Sequence, residues 1–309
     1  MGFLRKLIKK LRLLFLLPLV SFLVPFFRKR VGVKVKSVTA TLDEMFLKRK
    51  SIIRFGDGEL RLLMGTGETD FQKSNPILCK RLRELMRKIG KGGEGGSILL
   101  CMPGVLSECP REYVLKGPAR LFWFTFLINN AKKLRGVFDL FPGYVFGDAC
   151  LTRPYMDTQD LNYANQVFSR VKAELKGKNV LILEGRLSRF GVGNDLLSGA
   201  KSIRRILGPE KNAFDRYDVI LDRARREKDV DVVILAMGPA AKILTYELSM
   251  LGFWCLDLGH LDVEYEWFKM KALTKTNINN KYVNESSKKF ISNGEVDEDY
   301  KKQIVCMCE

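Results

Sequence analysis

Apolar positions along the chain change their period several times, and each change predicts an element. Leu13–Phe27 is fifteen residues long and apolar except for Ser21. Ser37–Lys50 reads as a helix, with Thr41 or Asp43 available near its start. Ser51–Phe55 reads as a short strand that runs into Gly56-Asp57-Gly58-Glu59. From Pro76 to Ile89 the apolar residues Ile77, Leu78, Leu82, Leu85, Met86 and Ile89 recur at helical spacing. A surface loop is expected over Gly90–Gly96, a buried strand over Ser97–Met102, an aromatic helix over Leu115–Leu134 and a strand over Tyr144–Phe146.

The second half alternates more regularly. Asn179–Leu183 is a continuous apolar run of strand length, followed by a loop containing Gly185, Gly191 and Gly193. Helices are expected over Asp195–Leu207, Asn212–Lys228 and Ala240–Leu251, and strands over Val230–Met237 and Trp254–Leu258. Such alternation predicts an α/β fold, a mostly parallel sheet covered by helices. Ligands bind such sheets at the loops that leave the strand C-termini. The chemistry is therefore expected after Phe55, Met102, Phe146, Leu183, Met237 and Leu258. No internal repeat or long linker divides residues 37–288, which read as one domain between an appendage (1–36) and a tail (289–309).

Charge changes the picture at the N-terminus. The net charge is +18, and residues 1–36 hold ten Lys/Arg and no acid, so over half of the excess belongs to the appendage. The folded body is only mildly basic, which argues against a nucleic-acid partner. As a helix, Leu13–Phe27 would reach roughly 22 Å at about 1.5 Å per residue, short of a bilayer core of about 30 Å. Pro18 and Pro25 disfavour a regular helix, and the run ends in Phe-Phe-Arg-Lys-Arg with no small-x-small cleavage site. A monotopic anchor on the cytoplasmic leaflet is expected, with basic flanks that favour anionic lipid. The competing reading is an extension that packs on the core. Met1-Gly2 opens a myristoylation-like pattern, but Lys6 stands where Ser or Thr is required.

The seven cysteines are odd in number and form no C-x-x-C pair, so buried free thiols are expected, and the tail holding Cys306 and Cys308 is expected to fray.

Three constellations could carry chemistry. In Arg54–Glu59, two carboxylates straddle Gly58 directly after a strand, a pattern that suits a hard divalent cation. A solvated turn is the bland alternative. In Glu184–Asp195, a glycine-rich loop followed by a predicted helix could bind an anion, with Arg186, Arg189 and Lys201 to neutralise a diphosphate. It matches neither the P-loop nor the dinucleotide fingerprint. In Asp257–Trp267, His260 is the chain's one histidine. It shares parity with Asp262, Glu264 and Glu266, so an extended backbone would place one imidazole and three carboxylates on one face. Such crowding is costly unless cations oppose it and therefore points to a metal ligand or a general base.

Taken together and in order, these segments resemble the bacterial glycosyltransferases of the GT-D fold, formerly domain of unknown function 1792. The matching stretches are RFGDGE (Arg54–Glu59), Phe71-Gln72, GDA (Gly147–Ala149) with Arg153–Asp157, Gly191–Asp218, Met237–Leu244, Gly259–Met270 and NKYVNE (Asn280–Glu285). The resemblance implies a Rossmann-like transferase of the serine-rich-repeat adhesin glycosylation type that uses a nucleotide-sugar donor, in the first place a UDP-sugar. It implies a D-x-E motif at Asp57 and Glu59 that holds Mn²⁺ or Mg²⁺, with Arg54, Gly56, Arg189, Gly191, Gly193, Asn194, Asp195, Lys201 and Arg204 toward the donor. Base candidates are Glu266, then Glu264 or Asp262, with His260 after them. The acceptor would be a hydroxyl of a glycan, glycoprotein or glycolipid. Two other functions fit the same residues: a non-catalytic nucleotide- or anion-binding module on a membrane surface, and a metal-dependent phosphohydrolase.

Overall fold

The computed structural model describes residues 8, 10–65, 72–73, 75–90, 96–109, 111–286, 292 and 298–308. Lys6, Phe71, most of the Gly90–Gly96 loop and Phe290 lie outside them. In chain order, a π-helical turn (Arg12–Leu16) leads into α1 (Leu17–Val31), β1 (Lys34–Val35), α2 (Val38–Phe46), β2 (Ser51–Arg54), α3 (Asp57–Met64), α4 (Pro76–Gly90) and β3 (Ile98–Met102). Then come α5 (Gly117–Phe138), β4 (Val145–Asp148), α6 (Leu161–Leu175), β5 (Asn179–Gly185), β6 (Ser202–Gly208), α7 (Tyr217–Arg225) and β7 (Val232–Ala236). The chain finishes with α8 (Ala240–Met250), β8 (Cys255–Asp257), α9 (Leu261–Lys269), α10 (Glu298–Gln303) and β9 (Ile304–Met307).

The strands form one sheet in the order β1-β4-β3-β2-β8-β7-β5-β6-β9. Every pairing in it is parallel. The apolar runs of β3, β5 and β7 are buried because helices cover both faces. All strand C-termini therefore meet at one edge of the molecule, where the loops can share a cavity. The expected fold class is the observed one.

Several local expectations are corrected. Asp195–Leu207 is not a helix: Asp195–Ala200 forms turns and Ser202–Gly208 is β6, paired along its length with β5. Ile203, Ile206 and Leu207 mimic helical spacing because Arg205 interrupts the apolar run, yet Arg205 is buried. Its guanidinium donates to Glu184 Oε1 at 2.6 Å and to the Phe190 carbonyl at 2.9 Å, and it lies over the Tyr300 ring. The cap of α2 is Ser37, which accepts from the Ala40 N–H at 3.1 Å, rather than Thr41 or Asp43.

The prolines do not break α1. Pro18 follows directly on the π-helical turn Arg12–Leu16, which runs into α1 without a break. Pro25 forfeits one bond, and packing of α1 on α5 offsets it. Among the described residues, no helix is long and apolar enough to cross a membrane. The tail is not frayed where it is described: β9 pairs with β6, and the Cys308 N–H donates to the Leu207 carbonyl at 2.7 Å. Thus β1 and β9, from the appendage and the tail, are the two edge strands of the sheet. All seven cysteines are free.

Burial pushes the Glu184 carboxyl up, against the pull of Arg205. Removing Arg205 would strand this carboxylate in the core. Arg205→Met should lower the unfolding free energy in urea by about 3–5 kcal/mol, and adding Glu184→Gln should restore most of it. A single-variant loss below about 1 kcal/mol, the scale of an exposed ion pair, would show that the pair does not hold β5 and β6 together.

Candidate functional site

A cavity of about 470 Å³ lies along the strand C-termini. Its wall takes residues from the ends of seven strands: Arg54–Glu59 after β2, Pro103 after β3, Ala149, Cys150 and Arg153 after β4, and Gly185 and Ser188 at β5. Pro209–Lys211 follow β6, Ala236–Pro239 follow β7, and Asp257, Gly259 and His260 follow β8. Three helices, α3, α8 and α9, begin on this wall. Their peptide dipoles turn a positive end toward it, which suits an anion.

The D-x-E carboxylates stand in the first turn of α3, not in a plain turn. Glu59 Oε2 accepts from the Gly56 N–H at 2.9 Å, and Oε1 lies 3.2 Å from Lys242 Nζ. Both of its oxygens are therefore engaged. Asp57 is 44% exposed, with Arg61 at 3.9 Å and the positive charge of Arg153 also acting on it. Burial, and then the like charge of Glu59, push its carboxyl up. A cation would relieve that repulsion. Among the described residues, no set of three or more His, Cys, Asp or Glu side chains converges as a complete metal cage. Two carboxylates completed by substrate phosphate are nonetheless the usual provision for Mg²⁺.

Beneath them is a buried charge network. Asp257 Oδ2 accepts from the Arg54 N–H at 3.0 Å and sits 3.0 Å from Lys242 Nζ. The Arg54 guanidinium returns to the Asp257 carbonyl at 2.5 Å and bonds the Thr152 hydroxyl. Gly259 has a positive φ of 39°, and a Cβ there would collide with the Arg54 guanidinium. The site thus needs glycine at that position.

The Asp257–Trp267 strip corrects the parity argument. Leu261–Lys269 is helix α9, so the acids turn in different directions. Asp262 and Glu266, one turn apart, share Lys281 at 2.6 and 3.0 Å and the Asn194 amide at 2.8 and 2.7 Å. Glu264 turns elsewhere, accepting from the Tyr155 and Met156 N–H groups at 3.0 and 2.7 Å. None of the three lines the cavity; His260 does. Its Nε2 lies 2.9 Å from Glu285 Oε2. Glu285 is also held by Arg153 at 2.8 Å and Lys275 at 3.2 Å. Burial lowers the His260 pKa, which favours neutral imidazole.

The glycine-rich loop is spent on structure. The Gly191 N–H donates to Asp262 at 2.9 Å, Asn194 bonds Asp262 and Glu266, and Asp195 pairs with Lys172 and Tyr265. Arg189 lies over the Tyr300 ring. Arg189, Gly191, Gly193, Asn194 and Asp195 do not reach the cavity wall, which takes Gly185 and Ser188 from this segment. Lys201 and Arg204 lie at the far end of the sheet, where Arg204 bonds Glu227 and the Lys228 carbonyl. Of the expected site residues, Arg54, Gly56, Asp57, Glu59 and His260 come together at the cavity. Lys242, Arg153, Asp257 and Glu285 were not singled out from sequence. All four lie within stretches matched to the GT-D pattern or, for Asp257, two residues before one.

A family model described as glycosyltransferase, GT-D fold, matches residues 52–286. A Streptococcus gordonii protein described as probable glycosyl transferase Gly is 34% identical over 253 residues, covering 82% of this chain and 36% of that protein. Glycosyltransferase GlyD of Streptococcus pneumoniae serotype 4 is 31% identical over 277 residues, covering 88% of this chain and 32% of that protein. The chain thus spans about a third of the length of these curated relatives. One solved structure, reported as domain of unknown function 1792 with a distinct glycosyltransferase fold, superposes with TM-score 0.80 at 32% identity over 91% of this chain and 98% of that one. Another, a DUF1792 glycosyltransferase from Streptococcus sanguinis, gives 0.79 at 33% identity over 90% and 100%.

Burial raises the Glu264 carboxyl from 4.5 to about 7. Its folded-state value lies above its unfolded one, so the stability it contributes is full below about pH 4.5 and is lost as the pH rises through 7. Relative to Glu264→Gln, the natural chain should lose up to about 3 kcal/mol across that window. Urea midpoints of the two proteins at pH 4.5 and 7.5 check this; parallel pH dependences would mean that folding does not raise the Glu264 carboxyl.

Proposed function

We propose a donor and a reaction for this chain, which belongs to the GT-D glycosyltransferase family: transfer of a sugar from a nucleotide-sugar, preferably a UDP-sugar, to an acceptor hydroxyl with the aid of Mn²⁺ or Mg²⁺. The observation that carries the reading is the meeting of Asp57 and Glu59 with three helix N-termini on one cavity. The metal, held by Asp57 and Glu59, would supply Lewis-acid stabilisation of the departing diphosphate.

The chain's own residues do the rest. The starts of α3, α8 and α9 turn the positive ends of their dipoles toward the diphosphate. Lys242 neutralises Glu59 and Asp257, and Arg153, whose charge acts on Asp57, adds positive charge to the wall. His260 is the base candidate on the wall, and as neutral imidazole it can accept the acceptor's hydroxyl proton. Glu285 orients that ring. The acceptor is a hydroxyl of a glycan, glycoprotein or glycolipid.

Calorimetry of the full chain with UDP should show binding that requires Mn²⁺. The Asp57→Ala/Glu59→Ala double variant should weaken it at least about tenfold, which corresponds to 1.4 kcal/mol, and Lys201→Ala, at the far end of the sheet, should leave it unchanged. Metal-independent binding of equal strength by the double variant would overturn the metal assignment. His260→Gln should keep UDP binding and lower the transfer rate by about 10²–10⁴, the usual worth of a general base. A rate within a few fold of the natural chain would return the base to another group.

A further inference from the structure

Helix α1 shows two faces. Leu17, Val20, Val24 and Val31 are buried against the body. The opposite stripe, Leu11, Phe15, Leu19, Phe22 and Phe26, faces outward, with Phe22 83% and Phe15 68% exposed. These positions follow one another at helical spacing, and Pro18 and Pro25 fill the same stripe. The one hydroxyl in the run, on Ser21, is satisfied by the Leu17 carbonyl at 2.6 Å. An outward apolar stripe of this size on a packed helix marks an interaction surface.

Charge selects the occupant. Lys10 and Arg12 are exposed at one end of the stripe and Lys29 and Arg30 at the other, and residues 1–36 contain no acid. A second copy laid on this stripe would set basic ends against basic ends, whichever way it ran. An anionic lipid surface meets both ends and buries the middle, as amphipathic interfacial helices do.

The helix is also fixed to the body. The Arg28 Nε donates to the Val105 carbonyl at 2.9 Å, and its guanidinium lies over the Phe124 ring. Val105 belongs to the turn just after Pro103, and Pro103 lines the cavity. Helix α5, on which α1 packs, sends Trp123 into the same wall. We infer that the Leu11–Phe26 stripe seats this protein on an anionic bilayer and thereby holds the cavity beside the membrane surface.

Flotation of the full chain with vesicles tests this. Phosphatidylglycerol/phosphatidylcholine vesicles should bind the natural chain, and phosphatidylcholine vesicles should bind it at least tenfold more weakly. Phe15→Ser/Phe22→Ser and Lys29→Glu/Arg30→Glu should each lower binding to the anionic vesicles about tenfold or more, since each removes buried apolar area or headgroup attraction. Circular dichroism should show both variants folded, as expected for exposed positions. Equal flotation of natural and variant chains, absence of flotation, or a dimer in sedimentation equilibrium that Phe15→Ser/Phe22→Ser abolishes would overturn the inference. UDP titration of the natural chain separates it from the transferase reading: no vesicle binding by that chain with UDP binding intact sinks only the membrane surface, and vesicle binding without UDP binding sinks only the donor site.

Discussion

Asp257 is almost wholly buried at the end of β8, and a carboxylate there is tolerable only if its charge is met on the spot. Two cations meet it. Lys242 comes from the first turn of α8, and Arg54 from the last residue of β2. Lys242 then reaches Glu59, and Glu59 caps the start of α3 through the Gly56 N–H. One buried charge thereby ties two neighbouring strands and two helix starts together at the cavity floor. The same device recurs along the sheet edge. Glu184 at the end of β5 takes Arg205 and the Phe190 N–H, and Asp148 at the end of β4 takes the Gly104 and Cys150 N–H groups and the Tyr113 hydroxyl. The strands bring these carboxylates to one edge, and satisfying them dictates the path of the loops that form the cavity.

What the sequence revealed followed from how cleanly periodicity reports burial. Strands β3, β5 and β7 are buried on both faces and read as unbroken apolar runs, so the parallel sheet and the edge that holds the cavity were legible. Asp57 and Glu59 were legible because glycines flank them immediately after a strand. Helix α9 was not, and the reason is physical. Leu261–Trp267 is buried on every side, so its charged positions do not mark a solvent face. Its acids alternate with Val263, Tyr265 and Trp267 as a strand's would. Strand β6 hid for the opposite reason: a buried arginine stands where an apolar residue would mark the core.

The glycine-rich loop shows how one composition serves two purposes. Glycines and basic residues after a strand are what an anion site requires. Here the loop's N–H groups and amide turn instead to Asp262 and Glu266, and Lys281 completes their neutralisation. The crowding of acids in the Asp257–Trp267 strip therefore has a structural resolution, and of His260, Asp262, Glu264 and Glu266 it leaves His260 on the cavity wall. No spacing rule links Asn194 or Lys281 to α9, since these contacts form only once the chain has folded.

Both ends of the described chain are built into the same sheet, and this bears on how the site is stabilised. Strand β1 pairs with β4, whose following turn supplies Ala149, Cys150 and Arg153 to the cavity. Helix α1 covers α5, which supplies Trp123. Strand β9 pairs with β6, whose end supplies Pro209 to Lys211. Deleting the appendage would remove the partner of β4 and bare the α5 surface against which Leu17, Val20 and Val24 pack. The N-terminal segment is therefore structural on its inner face whatever its outer face meets. That division explains why prolines are tolerated in α1: the inner contacts supply the stability, and the outer stripe is free to be shaped by what it contacts.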